Sequence, residues 1–271
     1  MRILIVNSWS NEGSTGKIAN GLYWYLRSKG HQVRFCFRGT RECKIDNPDF
    51  VPLNGVIDQN LAVIGTRLTG YEGIFNKKAT RKVIRLIESF NPDVIQLFNL
   101  HAYYINSYKL LEYLKSRTDI PVVYTMFDEF PYMGRCCFSV SCNQFKTECI
   151  KCPHKINYPY SLFFDRASYC FNRKKKIYHN FNHITFASVK WCCERAKESA
   201  LLKNKTIVEL DNPINYDKIF YPRNSERLRN DLGIPIENKV ILTVAVASIP
   251  TKGGIYFIEL AKNCLLYTSD A

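Results

Sequence analysis

Apolar runs of strand length recur at Ile3–Val6, Val33–Phe37, Val94–Phe98, Val122–Tyr124, Ile184–Ala187 and Ile207–Leu210, and segments of helical period separate them. This alternation constrains the fold more than any other feature. Consecutive parallel strands need a long crossover, and a helix supplies it, so the pattern predicts an α/β chain with a doubly wound parallel sheet. Ala79, Val83, Ile84, Leu86, Ile87 and Phe90 mark one face of such a crossover helix, and Asn91-Pro92-Asp93 stops it before the next strand. Sheets of this kind bind ligands outside the carboxyl ends of their strands. The loops after Val6, Phe98 and Tyr124 are therefore where chemistry is expected.

At 271 residues and 46% apolar composition the chain can bury one large core or two ordinary ones. No stretch approaches the roughly 20 apolar residues of a membrane span, and the apolar start Met1–Val6 is too short for a signal peptide. A cytoplasmic protein is expected. The net charge of +14, from 38 basic against 24 acidic residues, favours anionic partners such as nucleotides, phospholipid head groups or nucleic acid. Two basic blocks stand out, Lys77-Lys78 through Arg81-Lys82 to Arg85, and Arg173-Lys174-Lys175-Lys176. Each can be a plain solvated helix face. The second also ends a segment carrying Leu162, Phe163, Phe164, Tyr169, Phe171, Ile177 and Tyr178, which could rest on an anionic membrane.

Eleven cysteines in an intracellular chain point to metal binding or inert core thiols before a disulfide framework. Cys149 and Cys152 form a Cys-x-x-Cys, and Cys142 with Cys136 or Cys137 can complete a tetrahedral thiolate set. A closed structural zinc site is the expectation; a disulfide pair or buried thiols is the alternative.

The first strand runs into Gly13-Ser14-Thr15-Gly16 ahead of a helix, where glycine lets backbone amides and the helix dipole approach a phosphate. The segment is neither a three-glycine dinucleotide fingerprint nor a Walker loop, and a structural tight turn is the alternative. After the third apolar run come Asn99-Leu100-His101, Tyr103 and Tyr104, polar partners suited to sugar hydroxyls; Asp128 and Glu129 end the next strand. A histidine there can donate to a hydroxyl or accept its proton, a histidine simply hydrogen-bonded within the fold being the alternative, and a carboxylate can orient a hydroxyl or a histidine.

These motifs occur together in a known order. Gly13 to Gly16, Gly70 to Lys82, Pro92-Asp93-Val94-Ile95, Asn99-Leu100-His101, Asp128 with the cysteines, Ser188, Asn212-Pro213 and Lys252-Gly253 resemble glycosyltransferase family four, in its branch of colanic-acid and other polysaccharide-building enzymes. The resemblance implies a GT-B architecture. Residues 1–210 would form a complete Rossmann-like acceptor-side domain with a cysteine-rich insertion at 132–155, residues 211–235 a linker, and 236–263 the start of a nucleotide-sugar-binding domain. Val240–Val246 reads as a further buried strand, and residues 264–271 abandon the helical pattern that runs up to Asn263 and look like a translated library adapter, so the chain is expected to be an incomplete fragment.

The implied reaction transfers a sugar, with retention, from a nucleotide diphosphate to a polyprenyl-diphosphate-linked glycan, at the inner face of the membrane and without a catalytic metal. Asp128 and His101 would be catalytic. Gly13, Ser14, Thr15, Gly16, Lys252 and Gly253 would bind donor, and Asn99, His101, Tyr103 and Tyr104 acceptor. The family pattern assigns zinc to Cys136, Cys142, Cys149 and Cys152, leaving Cys137 over. Phe127 stands where the family carries histidine, and the family's paired donor-domain glutamates lie past the end of this chain, which as it stands is expected to be inactive. Two alternatives remain: a catalytically inactive glycan-binding homologue, and a zinc-bearing nucleic-acid module, the latter disfavoured by the dispersed basic residues.

Overall fold

A computed structural model describes residues 1–39, 46–138, 142–213, 219–242, 244 and 252–268, with backbone alone for 264–268. The chain divides into two compact units, Met1–Pro213 and Ile214–Ala271.

The first unit is one parallel sheet of seven strands in the order β3-β2-β1-β4-β5-β6-β7. The strands are β1 (Arg2–Val6), β2 (Gln32–Phe37), β3 (Phe50–Pro52), β4 (Val94–Leu97), β5 (Val122–Thr125), β6 (Ile184–Ser188) and β7 (Thr206–Glu209). The six strands predicted within this unit all form. β3 is an addition: it is three residues long and ends in proline, which is tolerated because β3 is an edge strand.

Both faces of the sheet are covered, which is why its central strands read as unbroken apolar runs. Ile3 and Ile5 of β1 join one core with Val33, Phe35 and Phe98, while Leu4 and Val6 join the other with Ile95 and Leu97. The first core is closed by α1 (Gly13–Ser28) through Ala19 and Tyr23. The second is closed by α3 (Lys77–Phe90) through Ala79, Val83 and Ile87, by α4 (Ser107–Ser116) through Leu110, Leu111 and Leu114, and by α5 (Ala167–Tyr178). Asn106 caps α4, its side chain accepting from the Lys109 amide at 2.9 Å, a contact worth about 1 kcal/mol. α2 (Val56–Thr69) and α6 (Lys190–Glu198) complete the unit.

The basic block Arg173–Lys176 is not a uniform solvated face. Lys174 is buried; its ammonium donates to the carbonyls of Phe130 and Met133 and lies 3.7 Å from the Phe130 ring centroid. Arg173 pairs with Glu112 at 3.3 Å. The aromatic segment before it also splits: Leu162, Phe163 and Phe164 are exposed, whereas Phe171, Ile177 and Tyr178 are core.

In the second unit α7 (Glu226–Asp231) ends at Gly233, whose positive φ suits a helix stop. The strand expected at Val240–Val246 is not seen where the chain is described: Val240, Ile241 and Leu242 carry no regular structure and are exposed, while Val246 lies outside the described residues. α8 (Gly254–Thr268) continues past Asn263, where the helical pattern was expected to break, since Cys264-Leu265-Leu266 still sustains a helix.

Candidate functional site

The order of the sheet reverses between β1 and β4, and the crevice beyond their carboxyl ends is the position where open parallel sheets bind ligands. Asn7 and Asn99, the residues that leave this pair of strands, are joined there. The Asn99 amide donates to Asn7 Oδ1 at 3.2 Å, and fully buried Asn7 donates from Nδ2 to the carbonyl of Trp9 at 2.8 Å. Two amide side-chain bonds thus shape both loops of the crevice.

Gly13 to Gly16 form the first turn of α1, so the unsatisfied amides of a helix start lie beside the crevice. Glycine is required twice. Gly13 has φ +63°, and a Cβ on Gly16 would stand 2.9 Å from Trp9 Cβ and 3.2 Å from the Asn11 backbone. The sequence alone did not single out Arg38, which follows β2. Its guanidinium stacks 3.5 Å from the Trp9 ring centroid, and its Nε is buried with no hydrogen-bond partner. Burial lowers its pKa against the charges of Tyr158 and Glu12.

His101 and Asp128 meet in the centre. His101 Nε2 lies 2.7 Å from Asp128 Oδ2, and His101 Nδ1 lies 3.0 Å from the Tyr158 hydroxyl. The second carboxylate oxygen of Asp128 accepts from the Phe130 amide at 2.9 Å. This holds the carboxylate facing the ring. Burial alone would lower the histidine pKa, but the charge and hydrogen bond of Asp128, with the charge of Glu72, outweigh it and the net direction is upward. Directly after His101, Ala102 and Tyr103 both take left-handed backbone, φ +77° and +60°, a pair of strained residues of the kind that clusters at functional sites.

The other predicted residues fall into place around this pair. Tyr103 is half-buried, with its ring against Tyr158 and its carbonyl accepting from Asn76. Tyr104 is wholly buried and donates its hydroxyl to the Asn99 carbonyl at 2.9 Å, so it holds the turn and does not face a ligand. Phe127 lies parallel to Phe98 with ring centroids 5.3 Å apart, offering an apolar wall. Glu129 turns away to Arg195, whose Nε donates at 2.7 Å. Buried Ser188 donates to the Met126 carbonyl.

Beneath the pair lie three buried charges that the sequence did not disclose. Glu72 is 1% exposed and neither of its carboxylate oxygens has a hydrogen-bond partner. Burial pushes its pKa up to about 7, against the pull of His101, Arg135 and Lys174. Arg135 donates to the Pro159 carbonyl at 2.8 Å, and burial lowers the pKa of Lys174.

Two sets of side chains offer metal ligands. His101, Asp128 and Cys137 place one ligand atom each within 4.8 Å of one another. An ion there would have to break the His101–Asp128 contact. The predicted zinc ligands Cys136, Cys142, Cys149 and Cys152 are all free thiols of the 136–152 loop. Among the described residues they do not form a comparably tight group, yet they interact: burial, with neighbouring cysteines adding to it, raises Cys136 to about 12 and Cys149 to about 11. The amides of Gly134 and His154 donate to the sulfurs of Cys149 and Cys152. Amide donors to sulfur favour thiolate, so the donor set fits zinc chemically.

Lys252 and Gly253 belong to the second unit. Gly253 has φ +71° and precedes α8, whose Tyr256 amide donates to its carbonyl at 3.1 Å; Lys252 is exposed.

No protein-family model matches the chain. A segment of 91 residues is 31% identical to WcaC of Escherichia coli K12, described as a colanic acid biosynthesis glycosyl transferase; it covers 32% of this chain and 22% of that protein. The fold is shared with sucrose-phosphate synthase from Thermosynechococcus elongatus, at a TM-score of 0.52 and 12% identity over 88% of this chain and 53% of that one. The chain thus spans about half or less of the length of each protein it matches. Its single parallel Rossmann-like sheet is consistent with one domain of a GT-B fold.

Proposed function

We propose that the chain is the acceptor-side part of a retaining glycosyltransferase that moves a sugar from a nucleotide-diphosphate donor to a lipid-linked glycan in surface polysaccharide synthesis. The observation that carries this reading is the largely buried His101–Asp128 pair, 2.7 Å apart at the carboxyl ends of β4 and β5, next to the switch point of the sheet. The segment similarity to WcaC and the shared fold support a nucleotide-sugar transferase in general.

In this reading the acceptor hydroxyl lies against His101, between the Asn99 turn and Tyr103. With Nε2 held by Asp128, the acceptor hydroxyl takes the place of the Tyr158 hydroxyl at His101 Nδ1, where the imidazole receives its proton or holds it in line, and Asp128 stabilises the imidazolium that forms. The amides of the Gly13 to Gly16 turn stabilise charge developing on the departing diphosphate, as preorganised donors do in a site shielded from water. Lys252 and Gly253 contribute to donor binding from the second unit. Zinc at Cys136, Cys142, Cys149 and Cys152 locks the insertion that delivers Tyr158 to His101 and takes no part in the reaction. In this reading the protein works at the inner face of the cell membrane as a peripheral protein.

Phe127 favours a second reading, a homologue that binds glycan without transfer, because its ring supplies a wall and no polar group. Assays of sugar transfer with the intact gene product, its Asp128→Asn variant and its Phe127→His variant separate the two. Activity in the first, lost on Asp128→Asn, upholds the transferase; activity only with Phe127→His upholds the binder.

A further inference from the structure

α2 is built inside out. Ile57, Leu61, Ile64 and Leu68 recur at spacings of four, three and four residues and so form one narrow stripe, and they are 75%, 62%, 54% and 46% exposed. The opposite side of the same helix buries Gln59 and Thr66 with Ala62. An amphipathic helix with its apolar stripe in water and polar side chains beneath lacks a partner for that stripe.

The stripe does not end with the helix. The Leu162 amide donates to the Arg67 carbonyl at 2.9 Å, and Gly70 approaches the Phe164 carbonyl so closely that a Cβ there would stand 2.3 Å from it. The loop thereby tied to the end of α2 exposes Leu162, Phe163 and Phe164 at 57%, 63% and 52%. On another side, Leu61 shares an open cleft of about 640 Å³ with Lys77, Lys78 and Arg81 at the start of α3. These three cations and Arg67 are exposed, with Asp58 the acidic residue of the cleft.

We propose that this face, α2 with the 162–164 loop and the basic start of α3, rests on an anionic lipid bilayer. Apolar side chains recurring every three or four positions on one helix, bordered by cations, match the acyl and head-group layers that an interfacial helix meets together. The charge decides the occupant: a basic border complements anionic head groups, and each cation near such a surface adds to binding. The inference gives a place to the membrane contact of the proposed transferase and rests on that reading for its biological purpose. It moves the contact from the Arg173–Lys176 block, where Lys174 is buried, to α2.

The test is co-sedimentation of the intact protein with phosphatidylglycerol vesicles and with phosphatidylcholine vesicles. Binding to the former, weakened by salt and weaker on the latter, is expected. Replacing Ile57, Ile64 and Phe163 together by serine, or Lys77, Lys78 and Arg81 together by glutamate, should each reduce binding roughly tenfold or more. These side chains are exposed, so both variants should keep the parent circular dichroism spectrum; Trp24→Ser, exposed on α1, should bind as the parent does. Absence of binding to phosphatidylglycerol, folded variants that bind unchanged, an equal loss on Trp24→Ser, or a dimer abolished by the same serine variant would each overturn the proposal. Vesicle binding with no sugar transfer would leave this surface standing and remove the reaction; transfer without vesicle binding would do the reverse.

Discussion

His101 Nε2 lies 2.7 Å from Asp128 Oδ2 although the two residues follow different strands and stand 27 positions apart. Neighbouring parallel strands β4 and β5 bring their carboxyl ends together, and the loop after each supplies one partner. The pair is largely withdrawn from water, and its electrostatics follow from that.

The imidazolium of His101 is favoured by Asp128 and Glu72 against the opposing effect of burial, so its folded pKa lies above the ordinary 6.5. Stability from the pair is then fully present below 6.5 and is lost as pH rises through the folded value. The unfolding free energy of the parent minus that of Asp128→Asn should shrink across that window. A titration of the His101 ring by NMR should show a raised midpoint that falls in Asp128→Asn; an unchanged midpoint would contradict the electrostatic account.

Glu72 should act in the same direction. Its folded pKa of about 7 exceeds the ordinary 4.5, so the folded state holds the proton more tightly, and stability falls as pH rises from 4.5 towards 7. Glu72→Gln removes this dependence. Denaturant titrations should find the variant gaining on the parent, by on the order of a few kcal/mol, as pH rises through that range. Parallel pH profiles for the two proteins would show that Glu72 is not buried as described.

Two glycines of α1 should respond oppositely to alanine. At Gly16 the new methyl meets Trp9 Cβ at 2.9 Å and the Asn11 backbone at 3.2 Å, and a loss of about 1–3 kcal/mol is expected. At Gly21 no atom lies within 4 Å, and the gain in helix propensity should stabilise by about 0.5–1 kcal/mol. Thermal unfolding of both variants checks the close approach of the 9–11 loop to the helix.

Protein prepared without chelator should carry one zinc per chain by elemental analysis. Cys149→Ser should lose the metal and lower the melting temperature, whereas Cys137→Ser should retain it. Metal retained by Cys149→Ser and lost from Cys137→Ser would move the site to the His101, Asp128 and Cys137 group.

Much of this architecture could be read from residue order because both faces of the sheet are buried, which makes Ile3–Val6 and Val94–Leu97 continuous apolar runs. β3 escaped notice because three residues ending in Pro52 give no periodic signal. His101 and Asp128 were legible as polar residues at strand ends. Arg38 and Tyr158 were not, since each reaches the crevice through a loop whose path only the folded chain reveals. Lys174 looked like part of a solvated block; one turn of helix directs its ammonium onto the Phe130 and Met133 carbonyls. α2 misleads in the opposite sense, since its apolar stripe has the spacing of a core face and points to water.

The most direct test of the central claim is transfer of a labelled sugar from a panel of nucleotide diphosphate sugars to a polyprenyl-diphosphate glycan by the intact gene product. The account predicts transfer with one donor, and a fall of roughly a hundredfold or more in Asp128→Asn with folding retained. No transfer from any donor, or equal rates in the parent and Asp128→Asn, would contradict it.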